Sequence, residues 1–388
     1  MSNRSQHLLD KAFFEAAKGQ WLFTAPNPRV GAVALKGGHI VGSGHHARFG
    51  GPHAEEMALR DAGAWDDEQQ CAVPGVVDEV FVTLEPCSST AGKKRRPCLQ
   101  SLLEAGVKKV TVGAVDPNPN HAGAGLDMLE ANGVEVDRSF LQSYQPRFEE
   151  QSPAFLQSLQ KPNLPWVLLK WAATLDGKTA TPDGVSQWIT GPEARAEVHQ
   201  LRALGHATMA GGGTLLADDP ELTARPSGET TAELEAALPA TQPLRVCTAA
   251  DLPSNARLLQ SDAPRLWILD QQQQPPVDGD AVIRVDRHEG GLDLASALSQ
   301  LYREHGVRRM LVEGGARLHG SLLAAGLASA VVRYEAPILL GGNRAACDGP
   351  AFPAPQDGVH LGFEESRSLG NDQRRAFLCL QQGAQETC

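Results

Sequence analysis

The chain has 388 residues, of which 41% are hydrophobic and 21% charged, and its formal net charge is -11. This length predicts two domains, because a single hydrophobic core rarely grows beyond about 250–300 residues. The acidic balance argues against a nucleic-acid-binding protein, since such surfaces carry an excess of Lys and Arg. A polar N-terminus and the absence of an apolar run of about 20 residues predict a cytoplasmic protein without a signal peptide or membrane span.

The first half of the chain predicts an α/β layer in the order helix, hairpin, helix, strand, helix, strand. The predicted elements are a helix at 8–18, a hairpin at 30–43 that turns at Gly37-Gly38, a helix from His53 to Gly63, a strand at 78–84, a helix from Cys98 and a strand at 107–115. After Ser139 the chain is polar, helix-like and rich in proline. A domain boundary is therefore expected at 150–164, with a first domain over residues 1–150.

The second half predicts another α/β domain, over residues 164–388. Its predicted elements are a strand at 166–173, a helix at 192–204, and strands at 206–211, 244–248, 265–269, 281–285, 309–313 and 330–340. Polar stretches at 226–243 and 271–276 predict exposed loops. Three tryptophans in apolar runs are expected in the core: Trp166, Trp171 and Trp267.

Two short segments of the first half carry residue types that bind metals. His53-Ala54-Glu55 opens a predicted helix, and Glu85-Pro86-Cys87 and Pro97-Cys98 follow later. One imidazole and two thiolates leave the fourth position of a tetrahedral zinc site open, which is typical of a catalytic site. Glu55 is not needed as a ligand and can move protons, as in zinc-dependent nucleobase deaminases. A structural zinc site is the alternative, but it normally has four protein ligands, and no good fourth is found.

Other polar residues lie close to this motif in the sequence. Asn27 lies in the rigid turn Pro26–Gly31, and its amide can both donate and accept hydrogen bonds to a base or sugar. The basic run Lys93–Arg96 lies between the two cysteines. This run is either a solvated loop or a means of binding a substrate phosphate.

Glycine-rich segments in the second half indicate where a cofactor could approach the backbone. Glu313-Gly314-Gly315 follows a β-rich run and precedes a helical stretch, so that backbone amides can approach a pyrophosphate at a helix N-terminus. Gly211–Gly213 is a second such place. A standard Rossmann site is not indicated, because the chain has no G-x-G-x-x-G motif with an acidic residue downstream.

The motifs of both halves resemble those of one family. TAPNPRVGAV (24–33), GPHAEEMAL (51–59), TLEPCS (83–88) and DPNP (116–119) resemble the deaminase half of the bifunctional riboflavin-biosynthesis deaminase/reductase family, RibD. LKWAATLDGKTA (169–180), SQWITG (186–191), ARAEVHQLRA (194–203), TLLADDPELTAR (214–225) and VEGGARL (312–318) are similar to its reductase half. The resemblance covers nearly the whole chain, in the same order.

The resemblance implies roles for individual residues. In the deaminase half it makes His53, Cys87 and Cys98 the zinc ligands and Glu55 the proton shuttle, with substrate contacts from Asn27, His46 and Lys93. In the reductase half it implies substrate contacts from Ser186, Arg202, Leu222, Arg225 and Glu313. It implies NADPH contacts from Ala172, Trp188, Thr214, Asp218 and Gly315. Lys170 and Asp176 are either structural or catalytic, and a position lining the site is favoured. Two arginines suit a sugar phosphate, because a guanidinium binds its oxygens bidentately.

The resemblance also implies the fold and the activity. It implies a cytidine-deaminase-like α/β/α layer followed by a dihydrofolate-reductase-like α/β domain, with Zn²⁺ and NADPH as cofactors. The first domain would hydrolytically deaminate 2,5-diamino-6-(5-phosphoribosylamino)pyrimidin-4-one, and the second would reduce the ribosyl side chain to ribityl. The expected partner is this small phosphoribosyl pyrimidine, with no nucleic acid and no membrane, and a homo-oligomer is expected.

The chain departs from the family at two positions. Ser89 stands where the family usually has a histidine, and a position near Ala250 lacks the usual small hydroxyl residue. Two alternatives therefore stay open. One is a deaminase of another base with an unrelated second half, and the other is a zinc-stabilised, non-catalytic binding protein with a degenerate deaminase half.

Overall fold

The computed structural model describes residues 3–88, 96–119, 121–226, 241–288, 291–349, 352 and 354–380. The chain divides into two compact units, Met1–Gln160 and Lys161–Cys388. The first unit extends beyond residue 150, because the backbone N–H of Arg29 donates to Oγ of Ser152 at 3.1 Å and so fixes the start of the next helix. No helix among the described residues is long and apolar enough to cross a membrane.

The first unit contains a five-stranded sheet flanked by helices. Its helices are α1 Asn3–Lys18, α2 Trp21–Thr24, α3 Ala54–Asp61, α4 Cys98–Glu104, α5 Ala124–Ala131, α6 Leu141–Gln151 and α7 Pro153–Leu159. Its strands are β1 Gly31–Lys36, β2 His39–His45, β3 Trp65–Asp66, β4 Cys71–Ala72, β5 Glu79–Val82, β6 Lys109–Val112 and β7 Glu135–Asp137. The sheet has the order β2-β1-β5-β6-β7, and β3 and β4 form a separate two-stranded pair.

The predicted hairpin is confirmed, and its second strand packs against the helix that follows His53. β1 and β2 pair antiparallel around Gly37 and Gly38, whose φ angles are +54° and +80°. A Cβ at Gly42 or Gly44 would lie 2.3–2.5 Å from backbone atoms of Ala58, so these glycines allow α3 to pack directly on β2. The helix that follows His53 is therefore held against the strand that ends at His45.

The second unit is built on a nine-stranded sheet. The nine strands of this sheet are β8 Trp166–Thr174, β9 Ala207–Ala210, β10 Leu244–Cys247, β11 Arg265–Leu269, β12 Ala281–Arg284, β15 Arg309–Glu313, β16 Ala330–Ala336, β17 Leu361–Leu369 and β18 Asp372–Cys379. The second unit also has a separate two-stranded pair, which consists of β13 Arg287–His288 and β14 Gly291–Leu292. Its described helices are α8 Pro192–Leu204, α9 Gly212–Asp218, α10 Leu294–Glu304 and α11 Ala316–Ala324, with a 3₁₀ turn at Pro355–Asp357.

The strand order of this sheet determines where a ligand can bind. The order is β12-β11-β10-β9-β15-β8-β16-β18-β17, and all neighbours from β12 to β16 are parallel. The late strand β15 lies between β8 and β9, so the chain reverses its direction of winding there. In open α/β sheets, ligands bind outside the carboxyl ends of the strands at such a switch point.

Several predictions about the second unit need correction. β16 ends at Ala336 instead of residue 340, because the N–H groups of Leu340 and Gly341 donate to Asp176 instead of a neighbouring strand. Trp166 and Trp267 are buried as predicted, but Trp171 is only half-buried and lines a cavity. Most of the predicted loop at 226–243 lies outside the described residues.

Two candidate active sites

The three predicted zinc ligands converge in the first unit. His53 lies at the N-cap of α3, Cys98 is the first residue of α4, and Cys87 follows β5. Nδ1 of His53 lies 3.2 Å from Sγ of Cys98 and 3.7 Å from Sγ of Cys87, and the three ligand atoms lie within 4.8 Å of one another. A tetrahedral zinc ion with ordinary bond lengths requires N···S separations of about 3.6 Å. The cluster therefore has the right size for zinc.

The chemistry of this donor set also fits a cation. The neighbouring Cys87 thiol and burial raise the pKa of Cys98 well above its usual value, and the charge of Glu55 adds to this effect. Two thiols and a carboxylate confined around one imidazole repel each other when ionised. A divalent cation at their centre reverses this, since a coordinated thiol is deprotonated.

Glu55 lies next to this cluster and is buried. It is on the first turn of α3, two residues after His53, and burial raises its pKa. The same carboxyl forms a hydrogen bond with the Cys98 side chain, and this bond lowers the pKa of Glu55. A carboxyl whose pKa is raised toward neutrality at a metal cluster is suited to take up and release protons.

Asn27 and His46, both predicted to contact substrate, contact each other. Nδ1 of His46 lies 2.8 Å from the carbonyl oxygen of Pro52, so it carries a proton and donates it. Its Nε2 then has a lone pair, which accepts from Nδ2 of Asn27 at 3.1 Å. This bond fixes the orientation of the amide and leaves Oδ1 of Asn27 as an acceptor. The His46 ring lies 5.3 Å from the His53 ring, edge to face, so both residues border the cluster.

Glu85 holds the loop that leads into α5, a role that was not predicted from the sequence. Its Oε2 accepts from the N–H of Gly123 at 2.8 Å, although the side chain is buried. A Cβ at Gly125 would lie 2.2 Å from the carbonyl oxygen of Pro86, so the two loops are in direct backbone contact. The Glu before Pro86-Cys87 was the available signal: a carboxylate at the end of a buried strand needs donors.

The basic run between the cysteines is described only at its last residue. Lys93, with Ser89, lies outside the described residues, so its predicted substrate contact stays a prediction. Arg96 pairs with Glu104 at 2.7 Å on an exposed face. At Arg96 the structure therefore favours a solvated ion pair.

The second unit contains a cavity of about 1800 Å³ at the carboxyl edge of its sheet. Every reductase residue expected from the resemblance lines it: Ala172, Ser186, Trp188, Arg202, Thr214, Asp218, Leu222, Arg225, Glu313 and Gly315. Lys170 lines it too, whereas Asp176 does not. Asp176 instead accepts from the N–H of Leu340 and of Gly341 and holds a turn, which is the structural one of the two roles that the sequence left open.

A buried ion cluster lies inside this cavity. Arg202 donates to both carboxylate oxygens of Glu313, with Nη2 to Oε2 at 2.9 Å, and Nζ of Lys170 lies 3.7 Å from the same carboxylate. Burial raises the pKa of Glu313, but Arg202 and Lys170 outweigh it and the net shift is downward. Burial lowers the pKa of Lys170. Glu313 is thus an anion held in the cavity beside a desolvated ammonium.

Backbone groups form the central part of the cavity. Gly314 and Gly315 both have φ of +88°, and a Cβ at Gly314 would lie 2.7 Å from Oγ1 of Thr214. Gly315 is the N-cap of α11, and Gly211 is the N-cap of α9. Two helix N-termini thus face the cavity from adjacent strands, which is suited to binding a pyrophosphate. These residues fit a dinucleotide.

Several other residues line the cavity that were not predicted from the sequence. Arg195, whose guanidinium lies 4.7 Å from the Trp188 ring, is one, and Arg257, Arg287 and Arg317 are others. His199 and His319 also line it. Arg195 and His199 lie on the same helix as Arg202, and their helical spacing was the available signal.

Comparisons with known proteins agree with this arrangement. Residues 2–114 match the cytidine and deoxycytidylate deaminase zinc-binding region, and residues 165–373 match the RibD C-terminal domain. In this order, the two matches define a bifunctional enzyme with a zinc-binding deaminase domain and a reductase domain. Riboflavin biosynthesis protein RibD of Escherichia coli (strain K12) is 36% identical over 376 residues, which cover 95% of this chain and 98% of that protein. The chain belongs to the RibD family of riboflavin biosynthesis.

Solved structures of full length are similar as well. Acinetobacter baumannii RibD, form 1, has a TM-score of 0.70 and 30% identity, over 97% of this chain and 99% of that one. The diaminohydroxyphosphoribosylaminopyrimidine deaminase/5-amino-6-(5-phosphoribosylamino)uracil reductase of Thermotoga maritima has a TM-score of 0.65 and 28% identity, with the same coverage.

These comparisons confirm the predicted two-domain α/β fold, the bifunctional activity, and zinc and NADPH as cofactors. The alternative of an unrelated second half is wrong, because residues 165–373 match the family's own C-terminal domain.

Proposed function

We propose that the first unit hydrolytically deaminates 2,5-diamino-6-(5-phosphoribosylamino)pyrimidin-4-one, and that the second reduces the ribosyl side chain of the product to ribityl. One observation carries the proposal: the same chain contains both sites. The first unit has the His53-Cys87-Cys98 cluster beside the buried Glu55, and the second unit has a cavity that all ten expected reductase residues line. The similar T. maritima protein is named for the same two activities.

In the deamination, water adds to the amine-bearing ring carbon and ammonia leaves, so that a carbonyl replaces the amine. His53, Cys87 and Cys98 would hold the zinc ion, which would supply Lewis-acid activation of water at neutral pH. Glu55 takes a proton from the attacking water and delivers it to the ring nitrogen. It then moves a second proton, from the newly added hydroxyl group, to the departing amine, so that a carbonyl remains and ammonia leaves. Asn27, whose amide orientation is fixed by His46, presents Oδ1 to an N–H group of the base.

In the reduction, the cavity of the second unit holds NADPH and the ring-opened side chain. NADPH, when bound, supplies the hydride. Gly315 and Thr214 lie where a pyrophosphate meets helix N-termini, and Arg225 binds the substrate phosphate. Burial lowers the pKa of Lys170, and the Glu313 carboxylate 3.7 Å from its Nζ acts in the opposite direction. In its protonated form Lys170 can supply the proton that reduction of a C=N bond consumes.

Mass spectrometry of the product tests both assignments. The purified chain is incubated with the diaminopyrimidinone ribosyl phosphate, zinc and NADPH. A product that has exchanged one amine for oxygen and gained two hydrogens supports both steps. A product that has only exchanged the amine contradicts the reductase assignment, and unchanged substrate contradicts the deaminase assignment. The cytoplasmic location and the homo-oligomeric state stay predictions, and size-exclusion chromatography with light scattering tests the latter.

A further inference from the structure

His199 lies between two of the arginines that line the reductase cavity. It is on α8, one turn before Arg202, and it lines the cavity. Its Nδ1 lies 3.1 Å from the backbone nitrogen of Arg225 and 3.5 Å from Nη1 of Arg202. One ring nitrogen therefore faces two donors that come from different segments of the chain.

The two donors determine the protonation state of this imidazole. A backbone N–H and a guanidinium can only donate, so Nδ1 of His199 is the acceptor and its proton lies on Nε2. Burial lowers the pKa of His199 to about 4, and the charges of Arg202 and Arg225 act in the same direction. The side chain is therefore neutral at pH 7, with a lone pair on the atom that contacts both arginines.

The backbone bond from Arg225 to His199 is one of several hydrogen bonds that hold the loop around Leu222, and it is the one nearest to the Arg225 side chain. Leu222 in this loop is buried and has φ of +59°, a left-handed conformation that is unfavourable for a branched residue. Gln242 holds Ala224 through two hydrogen bonds, of 2.7 and 3.0 Å, and Nη1 of Arg202 donates to the Thr223 carbonyl at 3.0 Å. His199 fixes the end of the loop, at the residue whose side chain faces the cavity.

Of the two arginines that contact His199, Arg225 is the one whose guanidinium remains available to an anion. Its Nη1 donates to Glu221 at 2.7 Å and to Thr223, whereas Nε and Nη2 have no hydrogen-bond partner among the described residues. Arg202, by contrast, uses all three guanidinium nitrogens on Glu313 and Thr223. The direction in which Nε and Nη2 of Arg225 point depends on the position of its backbone, which His199 holds.

We propose that His199 is a positioning residue of the reductase: its Nδ1 lone pair holds the backbone of Arg225 and orients that guanidinium toward the substrate phosphate. The proposal rests on the proposed reductase function for the identity of the anion. It does not require His199 to touch the substrate. The acceptor on the ring, and not the bulk of the ring, is what matters.

Two substitutions distinguish the hydrogen-bond acceptor of His199 from the space that its ring fills. His199→Asn places an amide oxygen near the position of Nδ1, whereas His199→Leu fills similar space without an acceptor. Reductase KM and kcat are measured with the supplied deaminated substrate at saturating NADPH, and the deaminase rate of the same chain checks that each variant is intact. We expect His199→Leu to raise KM about tenfold with kcat changed less than about threefold, and His199→Asn to restore KM to within about threefold of wild type.

Three outcomes would overturn the proposal. In the first, His199→Leu leaves KM unchanged. In the second, His199→Asn is impaired as much as His199→Leu, because packing would then explain the effect. In the third, kcat falls in both variants while KM stays constant, which indicates participation in the chemical step.

A measurement without substrate distinguishes this proposal from the proposed function. In ¹⁵N-histidine-labelled protein, the resonance that disappears in His199→Asn reports the tautomer of His199. A proton on Nε2 and none on Nδ1 at pH 7 supports the positioning geometry even if the wild-type chain fails to reduce the substrate, a failure that would contradict the reductase assignment alone. A proton on Nδ1 contradicts the positioning role whatever the activity.

Discussion

Arg202 and Glu313 form a two-point ion pair inside the reductase cavity, with side chains that are only 13% and 9% exposed. α8 provides the guanidinium and the end of β15 provides the carboxylate. Lys170 is the other cation within 4 Å of this carboxylate among the described residues, but it makes a single, longer contact. Arg202 therefore does more than Lys170 to lower the pKa of Glu313 and keep it ionised.

Removing this guanidinium is expected to destabilise the second unit strongly. Arg202→Met removes the two-point partner of a buried carboxylate and leaves only Lys170, at 3.7 Å, which is expected to cost about 3–5 kcal/mol of unfolding free energy. Arg375 and Glu364 make a similar two-point pair on the surface, with side chains 46% and 38% exposed. Arg375→Met is therefore the matched control and is expected to cost less than about 1 kcal/mol. Urea unfolding measures both, and equal losses would contradict the burial argument.

Glu55→Gln is expected to separate zinc binding from deamination. The amide cannot transfer protons, so the deamination rate should fall by about 100- to 10,000-fold. Zinc content, measured by atomic absorption, should stay at the wild-type value, because Glu55 is not among the three clustered ligands. The adjacent Glu56 pairs with Arg60, so Glu56→Gln serves as the control. Persistent deamination in Glu55→Gln would favour a different proton carrier.

Zinc removal is expected to affect one activity only. Chelation, or Cys98→Ser, should abolish deamination, while reduction of supplied deaminated substrate continues, because the metal cluster and the cavity belong to different compact units. Cys71→Ser is the control, since this half-buried thiol is not part of the cluster. Re-addition of zinc should restore the chelated enzyme. Equal loss of both activities would mean that the units depend on each other.

Asn27→Asp is expected to impair deamination although it changes only one atom. In the variant, the amide N–H group that donates to Nε2 of His46 is lost. A carboxylate oxygen then faces the lone pair of that nitrogen. We expect kcat/KM for deamination to fall by at least about tenfold at pH 7.5. Asn132→Asp, at an exposed helix end, is the control. An unchanged kcat/KM would imply that the His46 ring carries the opposite tautomer.

The stability of the second unit is expected to decrease as the pH falls from 6.5 to about 4. The pKa of His199 in the folded chain is lowered to about 4, against an ordinary value of 6.5. In this window the unfolded chain binds the proton that the folded chain excludes, so the contribution is complete above pH 6.5 and is lost on acidification. Thermal midpoints of His199→Asn should depend less on pH than those of wild type.

His305 at the exposed end of α10 provides the control for this pH experiment. His305→Asn should keep the wild-type pH dependence. If His199→Asn keeps it as well, then His199 is not the group that resists protonation, and another buried histidine of the second unit, such as His319, accounts for the change.

The deaminase site could be predicted from local patterns, because each metal ligand lies at the start of a helix or directly after a strand that the sequence pattern identifies. His53 and Cys98 lie at helix starts, and Cys87 follows a buried strand that the apolar pattern identifies. The ligand types and their spacing are characteristic of zinc even without the fold. The orientation of Asn27 was not predictable, since it depends on which nitrogen of His46 reaches the carbonyl of Pro52.

The reductase cavity illustrates the other case. Residue types and family motifs identified Arg202, Arg225 and Glu313. They did not predict that each guanidinium nitrogen of Arg202 donates to Glu313 or Thr223, whereas Nε and Nη2 of Arg225 have no partner in the described part of the chain. Those partners are up to 111 residues apart in the chain, and they meet because β15 inserts between β8 and β9. Short-range periodicity identifies strands but contains no information about their order in a sheet. The ligand chemistry therefore follows from the amino-acid sequence, and the assignment of each charge to a partner follows from the packing of distant segments.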